Sequence, residues 1–277
     1  MFKHNGFILL ILSVLSGSAI ADAQNIHHLH EIASNTYRSE SNRQRNEFRH
    51  PAQTLDFFGI KDNMKVTELW PIKGWYTEVL GPFLKDGGQL TIANFKTIVN
   101  SEDKKVNYHA KLGKKLANRI NSEADYFGSV LEIPFDPLVD TSIGQAESQD
   151  MVVTFRNIHN WDGTGAFSNV MQAAFDVLKP GGILGIVEHK ADKLTDISSS
   201  AEIGYTGESY VIEVIESAGF IFVGRSGINA NPQDTKNYPR GVYALPPTLA
   251  MGAADRDKYL SIGESDRMTL KFIKPKE

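Results

Sequence analysis

Two short stretches of this chain are apolar at consecutive rather than alternate positions: Asp150–Phe155 (DMVVTF) and Ile183–Val187 (ILGIV). A strand of that kind has both faces covered, the situation of a parallel sheet flanked by helices. Between them, Phe167, Val170, Met171, Ala174, Phe175 and Leu178 recur at steps of three and one. That spacing predicts an amphipathic helix, stopped by Pro180-Gly181-Gly182. The same alternation runs along the rest of the chain. Lys65–Trp70 (KVTELW) and Gln89–Phe95 (QLTIANF) read as strands, with a helix over Trp75–Leu84 between them. Val106–Ile120 reads as a helix, Ser129–Ile133 as a weaker strand, and Val211–Ala218 as a helix ended by Gly219. Phe220–Val223 and Met268–Ile273 (MTLKFI) complete the set of strands. Strands alternating with helices imply right-handed crossovers and an α/β fold around a mainly parallel sheet.

The ends of the chain read differently. Lys3 and His4 precede the apolar run Phe7–Leu15, and Ala19-Ile20-Ala21 has the form that signal peptidases cut. Ala21-Asp22-Ala23 is a second cut site, and a buried N-terminal helix is the alternative reading. Residues 1–21 are therefore expected to direct export to a periplasm or outside the cell. The run falls well short of the ~20 residues of a permanent anchor. Residues 22–50 read as a polar, partly helical arm, with His27, His28 and His30 in a solvated tail. Residues 51–277 read as one domain that opens with a helix over Ala52–Phe58 and Gly59. Within it, 227–261 is the longest irregular region, a candidate lid or substrate loop. With 29 basic and 33 acidic residues and no basic block, the chain lacks a nucleic-acid footprint. It has no cysteine, which excludes disulfides, thiolate metal sites and cysteine nucleophiles. No metal site is expected, because the histidines outside the tail are scattered.

In an open α/β sheet, ligands bind outside the carboxyl ends of the strands. The residues in question are Trp70–Gly74, Asn94, Arg156–Trp161 (RNIHNW) and Glu188–Lys190 (EHK). Each has an ordinary structural explanation taken alone: an ion pair for Arg156, a satisfied loop histidine for His159, core for Trp161. Two such polar clusters at one end of one sheet point to a site.

Four segments in order, RHPAQTLDFFGI (Arg49–Ile60), ELWPIKGWYTEVL (Glu68–Leu80), TFRNIHNW (Thr154–Trp161) and LKPGGILGIVEHK (Leu178–Lys190), carry a resemblance. The chain resembles a class I S-adenosylmethionine-dependent methyltransferase, and more narrowly a family of predicted exported bacterial methyltransferases. The resemblance implies a Rossmann-like seven-stranded sheet with helices on both faces and an antiparallel last strand. S-adenosylmethionine would lie over the first two strand ends. Glu68 would support the first turn, and Trp70, Pro71, Lys73, Gly74 and Trp75 would line the methionine part. Asn94 would face the ribose, and Ser129–Glu132 would approach the adenine. Arg156, Asn157 and His159 would lie by the transferred methyl. His159 is the first candidate for a base, with His189 and His50 in reserve.

The chain departs from that family at two points. Pro71-Ile72-Lys73-Gly74 stands where such enzymes carry a Gly-x-Gly turn, and Asn94 replaces the usual ribose-binding acid. Lys73 would pair with the cofactor's carboxylate as a point charge. The expected activity is methyl transfer to a small-molecule acceptor. The alternative is a non-catalytic periplasmic binding or accessory protein on the same fold. A nicotinamide oxidoreductase and a serine hydrolase are disfavoured, because no G-x-G-x-x-G follows the first strand and no G-x-S-x-G is present.

Overall fold

The computed structural model describes residues 23–97, 101–139, 142–192 and 200–276; the expected export signal lies outside them. Seven strands form one sheet: β1 (Lys65–Leu69), β2 (Gln89–Asn94), β3 (Val130–Pro134), β4 (Gln149–Phe155), β5 (Leu178–His189), β6 (Ile221–Ser226) and β7 (Arg267–Ile273). Their order is β3-β2-β1-β4-β5-β7-β6. The first five pair in parallel, and β7 runs antiparallel to both β5 and β6. The consecutive apolar residues Met151–Val153 of β4 and Leu184–Val187 of β5 are buried on both faces, as the runs require.

One apolar cluster lies on each side of the sheet. On the first side, α9 (Phe167–Val177) and α11 (Glu208–Ser217) bury Val170, Met171, Ala174, Val211 and Ile215 together with Val152, Leu184 and Leu270. On the second, α4 (Pro51–Phe58), α5 (Thr77–Leu84) and α6 (Lys104–Ser122) bury Leu55, Phe58, Val79, Leu80, Leu116 and Ile120 against Val66, Ile92 and Val153. Gly185 of β5 shows why a side chain is absent there: a Cβ would stand 2.6 Å from the Phe58 ring. Strand β5 also begins earlier than expected. Leu178 to Gly182 pair into the sheet, and the register with β4 shifts between Gln149 and Met151.

The segment expected as a polar arm is part of the fold. It holds a helix over residues 23–34 (α1), then α2 (Glu40–Arg43) and α3 (Asn46–Arg49). Leu29, Ile32 and Ala33, spaced as one helix face, are buried, and the first two join the second cluster. Arg38 and Arg49 are 0% and 1% exposed. Apolar periodicity misses such a segment because much of what it buries is charge. His27, His28 and His30 do face outward from α1.

The stretch 227–261 is also more ordered than a free loop. It contains a 3₁₀ turn (Gly241–Ala244) and most of α12 (Arg256–Ile262), and it builds a small cluster of Tyr238, Ala244, Leu245 and Tyr259. Among the described residues, no helix is long and apolar enough to cross a membrane.

Candidate functional site

A cavity of about 320 Å³ opens at the carboxyl edge of the sheet. Its wall is Glu68 to Lys73, Trp75 and Tyr76 after β1, Phe155 and Arg156 at the end of β4, Arg45 and Arg49 from the N-terminal helices, and Pro247 and Thr248; Leu69 alone in the first run is excluded. The volume sits at the low end of the roughly 300–1,000 Å³ typical of small-ligand sites.

The turn after β1 has an unusual backbone. Trp70, Ile72 and Gly74 are alternate residues, and all three have positive φ (45°, 57° and 79°). Glycine takes that conformation freely, whereas for bulky side chains it costs about 1–2 kcal/mol each. Trp70 and Ile72 thus hold positive φ in the turn where the resemblance implies glycines. Gly74 itself stands behind the wall; its missing Cβ gives Leu116 room, at 2.5 Å. Arg156, the residue after β4, is the third non-glycine cavity residue with positive φ, at 64°. Strain of this kind persists where the surroundings over-determine it, and it concentrates at ligand sites.

Asn157 explains how the turn is held. Its Nδ2 donates to the Leu69 and Trp70 carbonyls at 3.0 and 3.2 Å and to Thr154 Oγ1 at 3.0 Å. Through this amide nitrogen it braces the first turn against β4, whereas the resemblance implies a place beside the transferred methyl.

The cavity is strongly cationic. Arg45, Arg49, Arg156 and Lys73 line it, and Glu68 is the one acid in the wall. Burial raises the Glu68 carboxyl to about 8, although Thr77 Oγ1 donates to it at 2.6 Å, so it is largely neutral at pH 7. Behind the wall, Glu264 accepts from Arg45 Nε at 2.6 Å and Arg49 Nε at 2.9 Å, and pairs with Arg267 at 3.2 Å. Burial pushes the Glu264 carboxyl up, but Arg49, Arg267, Arg45 and Arg156 together hold it at about 2. Both terminal nitrogens of Arg49 and one of Arg45 are buried with no hydrogen-bond partner among the described residues. Burial, then the Arg156 charge, holds the Arg49 guanidinium well below its ordinary range, and burial takes Arg156 to about 10.

Next to the cavity lies a buried cluster of His159, Glu188 and His189. Glu188 accepts from Ile158 N at 2.6 Å, His189 N at 2.7 Å and His159 Nδ1 at 3.0 Å. His159 is 4% exposed, and its Nε2 lies 2.9 Å from Asn160 Nδ2. His189 contacts Ser265 Oγ through Nδ1 at 2.5 Å, with its ring 5.4 Å from that of His159. Burial, then the charges of His159, Arg156, Arg267 and Arg49, pushes the His189 imidazole well below its usual range and keeps it neutral. The three side chains offer nitrogen and oxygen atoms within 4.8 Å of one another, a metal-type grouping that wide sequence spacing hides. Three N–H donors already take up the carboxylate, so the trio as built is a hydrogen-bonded cluster.

The structure therefore joins Glu68, Trp70, Pro71, Lys73, Trp75 and Arg156 in one wall and sets His159 and His189 in the adjoining cluster. Besides Asn157 and Gly74, three expected site residues lie elsewhere. His50 lines a separate cavity with Asn229 and Glu264, because the chain turns left-handed there (φ 38°) between α3 and α4. Glu132 is exposed and pairs with Ile92 in mid-strand, so the carboxyl end of β3 is Pro134, two residues further on. Asn94 does end β2 but does not line the cavity; its Oδ1 is buried without a partner among the described residues. Beside it, the Trp70 indole lies 4.8 Å from the Phe95 ring and donates to the Phe135 carbonyl at 3.3 Å. Sequence reasoning missed Arg45, Arg49, Tyr76 and Phe155, whereas Pro247 and Thr248 fall in the stretch 227–261 expected as a lid or substrate loop. The arginines of RQRNEFR read as a solvated charged run, and no local signal distinguishes them from one.

No family model matches the sequence, and no curated protein matches it. Solved structures do. A SAM-dependent methyltransferase from Aquifex aeolicus is 14% identical, with a TM-score of 0.54 over 83% of this chain and 92% of its own. The cyclase SpnF is 15% identical, with a TM-score of 0.56 over 85% and 83%. The N-methyltransferase NodS from Bradyrhizobium japonicum WM9 is 14% identical, with a TM-score of 0.51 over 86% and 99%. These likenesses establish a methyltransferase-type Rossmann-like fold. With a cyclase among them, the fold leaves the reaction open.

Proposed function

We propose that the chain is an S-adenosylmethionine-dependent methyltransferase acting on a small-molecule acceptor. The observation that carries the reading is the turn after β1, which keeps positive φ at residues 70, 72 and 74 at the carboxyl edge of this fold. The residues fit the cofactor at a second point: Asn94 Oδ1, a buried acceptor with no partner among the described residues, ends β2 where a ribose hydroxyl would donate to it. Lys73 would receive the cofactor's carboxylate. When bound, the cofactor supplies an electrophilic methyl on a sulfonium, so the protein's share is orientation, desolvation and removal of a proton. His159 is suited to the last. Glu188 takes its Nδ1–H and fixes the tautomer, so Nε2 is the proton-accepting atom once the Asn160 amide that donates to it at 2.9 Å gives way. Tyr243, 6.4 Å away ring to ring, covers the pair. Residues 1–21 would direct export, tested by the N-terminal mass of protein recovered from the periplasm.

Calorimetric titration with S-adenosylmethionine and S-adenosylhomocysteine tests the reading. Both are expected to bind, and Asn94→Ala is expected to weaken S-adenosylhomocysteine about three- to tenfold, the worth of one neutral hydrogen bond. His159→Ala should leave that affinity unchanged while slowing turnover. Silence with both ligands, in folded protein, favours a non-catalytic binding protein. One observation supports that second reading: Trp70 and Ile72 place side chains where glycines would let the backbone approach a ligand.

A further inference from the structure

We propose that the cavity binds a small dianion, a dicarboxylate or phosphate ester, through Arg49, Arg156, Arg45 and Lys73. As an anion site this stands on its own; as the class of methyl acceptor it rests on the methyl-transfer reading.

Several of these cations have donors with no partner among the described residues. Among the described residues, Arg156 finds no side-chain hydrogen bond and no ion pair, yet it is held at a left-handed backbone position facing the cavity. Arg49 is 1% exposed, with its Nε on Glu264 and both Nη groups without a partner there. Its guanidinium lies 4.7 Å from the centre of the Trp75 ring, which fixes its plane. Buried charged donors are nearly always paired, and a set left open together around one cavity calls for a ligand that fills it.

Charge then selects the ligand. The wall carries three guanidiniums and one ammonium against a single acid, Glu68, that is largely uncharged at neutral pH. Glu264 offsets one charge from behind, and Arg267 adds another. S-adenosylmethionine carries a sulfonium, an ammonium and a carboxylate, so its net charge is positive. Its carboxylate answers one of these cations, and its other two charges oppose the rest. A ligand with two negative charges matches the surplus, and forked guanidiniums suit the paired oxygens of carboxylates and phosphates.

The test uses the full mature protein at neutral pH with inorganic phosphate and succinate as probes, chloride held constant, read by calorimetry and by the melting temperature. Both probes should bind and raise the melting temperature. Arg156→Gln should weaken them about tenfold or more, the worth of a charge-assisted hydrogen bond. It removes no native side-chain pairing, so the fold should survive. Lys73→Gln, at an exposed position, should weaken them less and keeps the test open if the first variant does not fold. The proposal is overturned if folded wild-type protein binds neither probe, or if both variants bind them as wild type does. Competitive displacement of phosphate by S-adenosylhomocysteine in wild type and Lys73→Gln alike also overturns it, because the arginines would then serve the cofactor's own carboxylate. Phosphate binding without any S-adenosylhomocysteine binding upholds the anion site and removes only the methyl-transfer reading.

Discussion

Glu78 and Glu264 both tie the N-terminal helices to the rest of the domain, but their surroundings differ in charge. Glu78 is buried with Arg38 Nε at 3.2 Å, Arg119 and the Asn42 amide, and Glu123 shares Arg119. Two arginines meet two acids there. Glu264 faces Arg45, Arg49 and Arg267 by itself, with the Arg156 charge close enough to act on it. The balanced cluster is what a structural brace looks like, since each charge taken from water is answered. The unbalanced one borders the cavity. A protein keeps a surplus of buried charge against its own stability where something outside the chain benefits from it.

The comparison is broken most directly at its two acids. Glu264→Gln leaves three arginines without a counter-charge and is expected to cost near 5 kcal/mol, the upper end of the ~3–5 kcal/mol for breaking a buried pair. Glu78→Gln, with Glu123 still present, should cost about 3 kcal/mol. Urea unfolding of both variants decides it, and equal losses remove the distinction. The acid limb sharpens it. Glu264 is held at about 2 against an ordinary 4.5, so its contribution is complete above pH 4.5 and is lost as the pH falls toward 2. Glu264→Gln should lack that part of the acid slope.

Glu68 gives the next largest effect, with the opposite sign. Its carboxyl is raised from 4.5 to about 8, so the folded state holds the proton more tightly and stability falls as the pH rises through that window. Glu68→Gln should exceed wild type by about 1–3 kcal/mol at pH 8. That gap should close at pH 4. A Glu68 ionised at pH 6 would lower the cavity's surplus charge and weaken the contrast with Glu78. The smallest effect is expected at Arg156. Because no described residue pairs with it, Arg156→Gln should change stability by less than about 1 kcal/mol, and upward if at all. A loss of several kcal/mol would show that Arg156 is structural.

Much of the fold is legible in the chain itself. The runs DMVVTF and ILGIV, and the steps of three and one after Phe167, mark β4, the core of β5 and α9 close to where they lie. Of the site, the turn after β1 and the residues after β4 are legible because a parallel sheet collects strand ends at one edge. Three of the residues that depart from their expected places do so for separate physical reasons. Glu132 stops short of the strand end because the extent of β3 depends on its register with β2. Asn157 turns its amide inward to the Leu69 carbonyl. At His50, a single left-handed residue redirects the chain away from the cavity.

The amino-acid sequence determined the elements, their alternation and the mainly parallel sheet, because burial on one or both faces leaves a period that neighbouring residues share. The tertiary structure alone decided which charges meet. Arg45 and Glu264 are 219 positions apart, and His159 and Glu188 are 29 apart. An ion pair needs only two side chains at the right distance after folding, and it imposes no pattern on the residues between them.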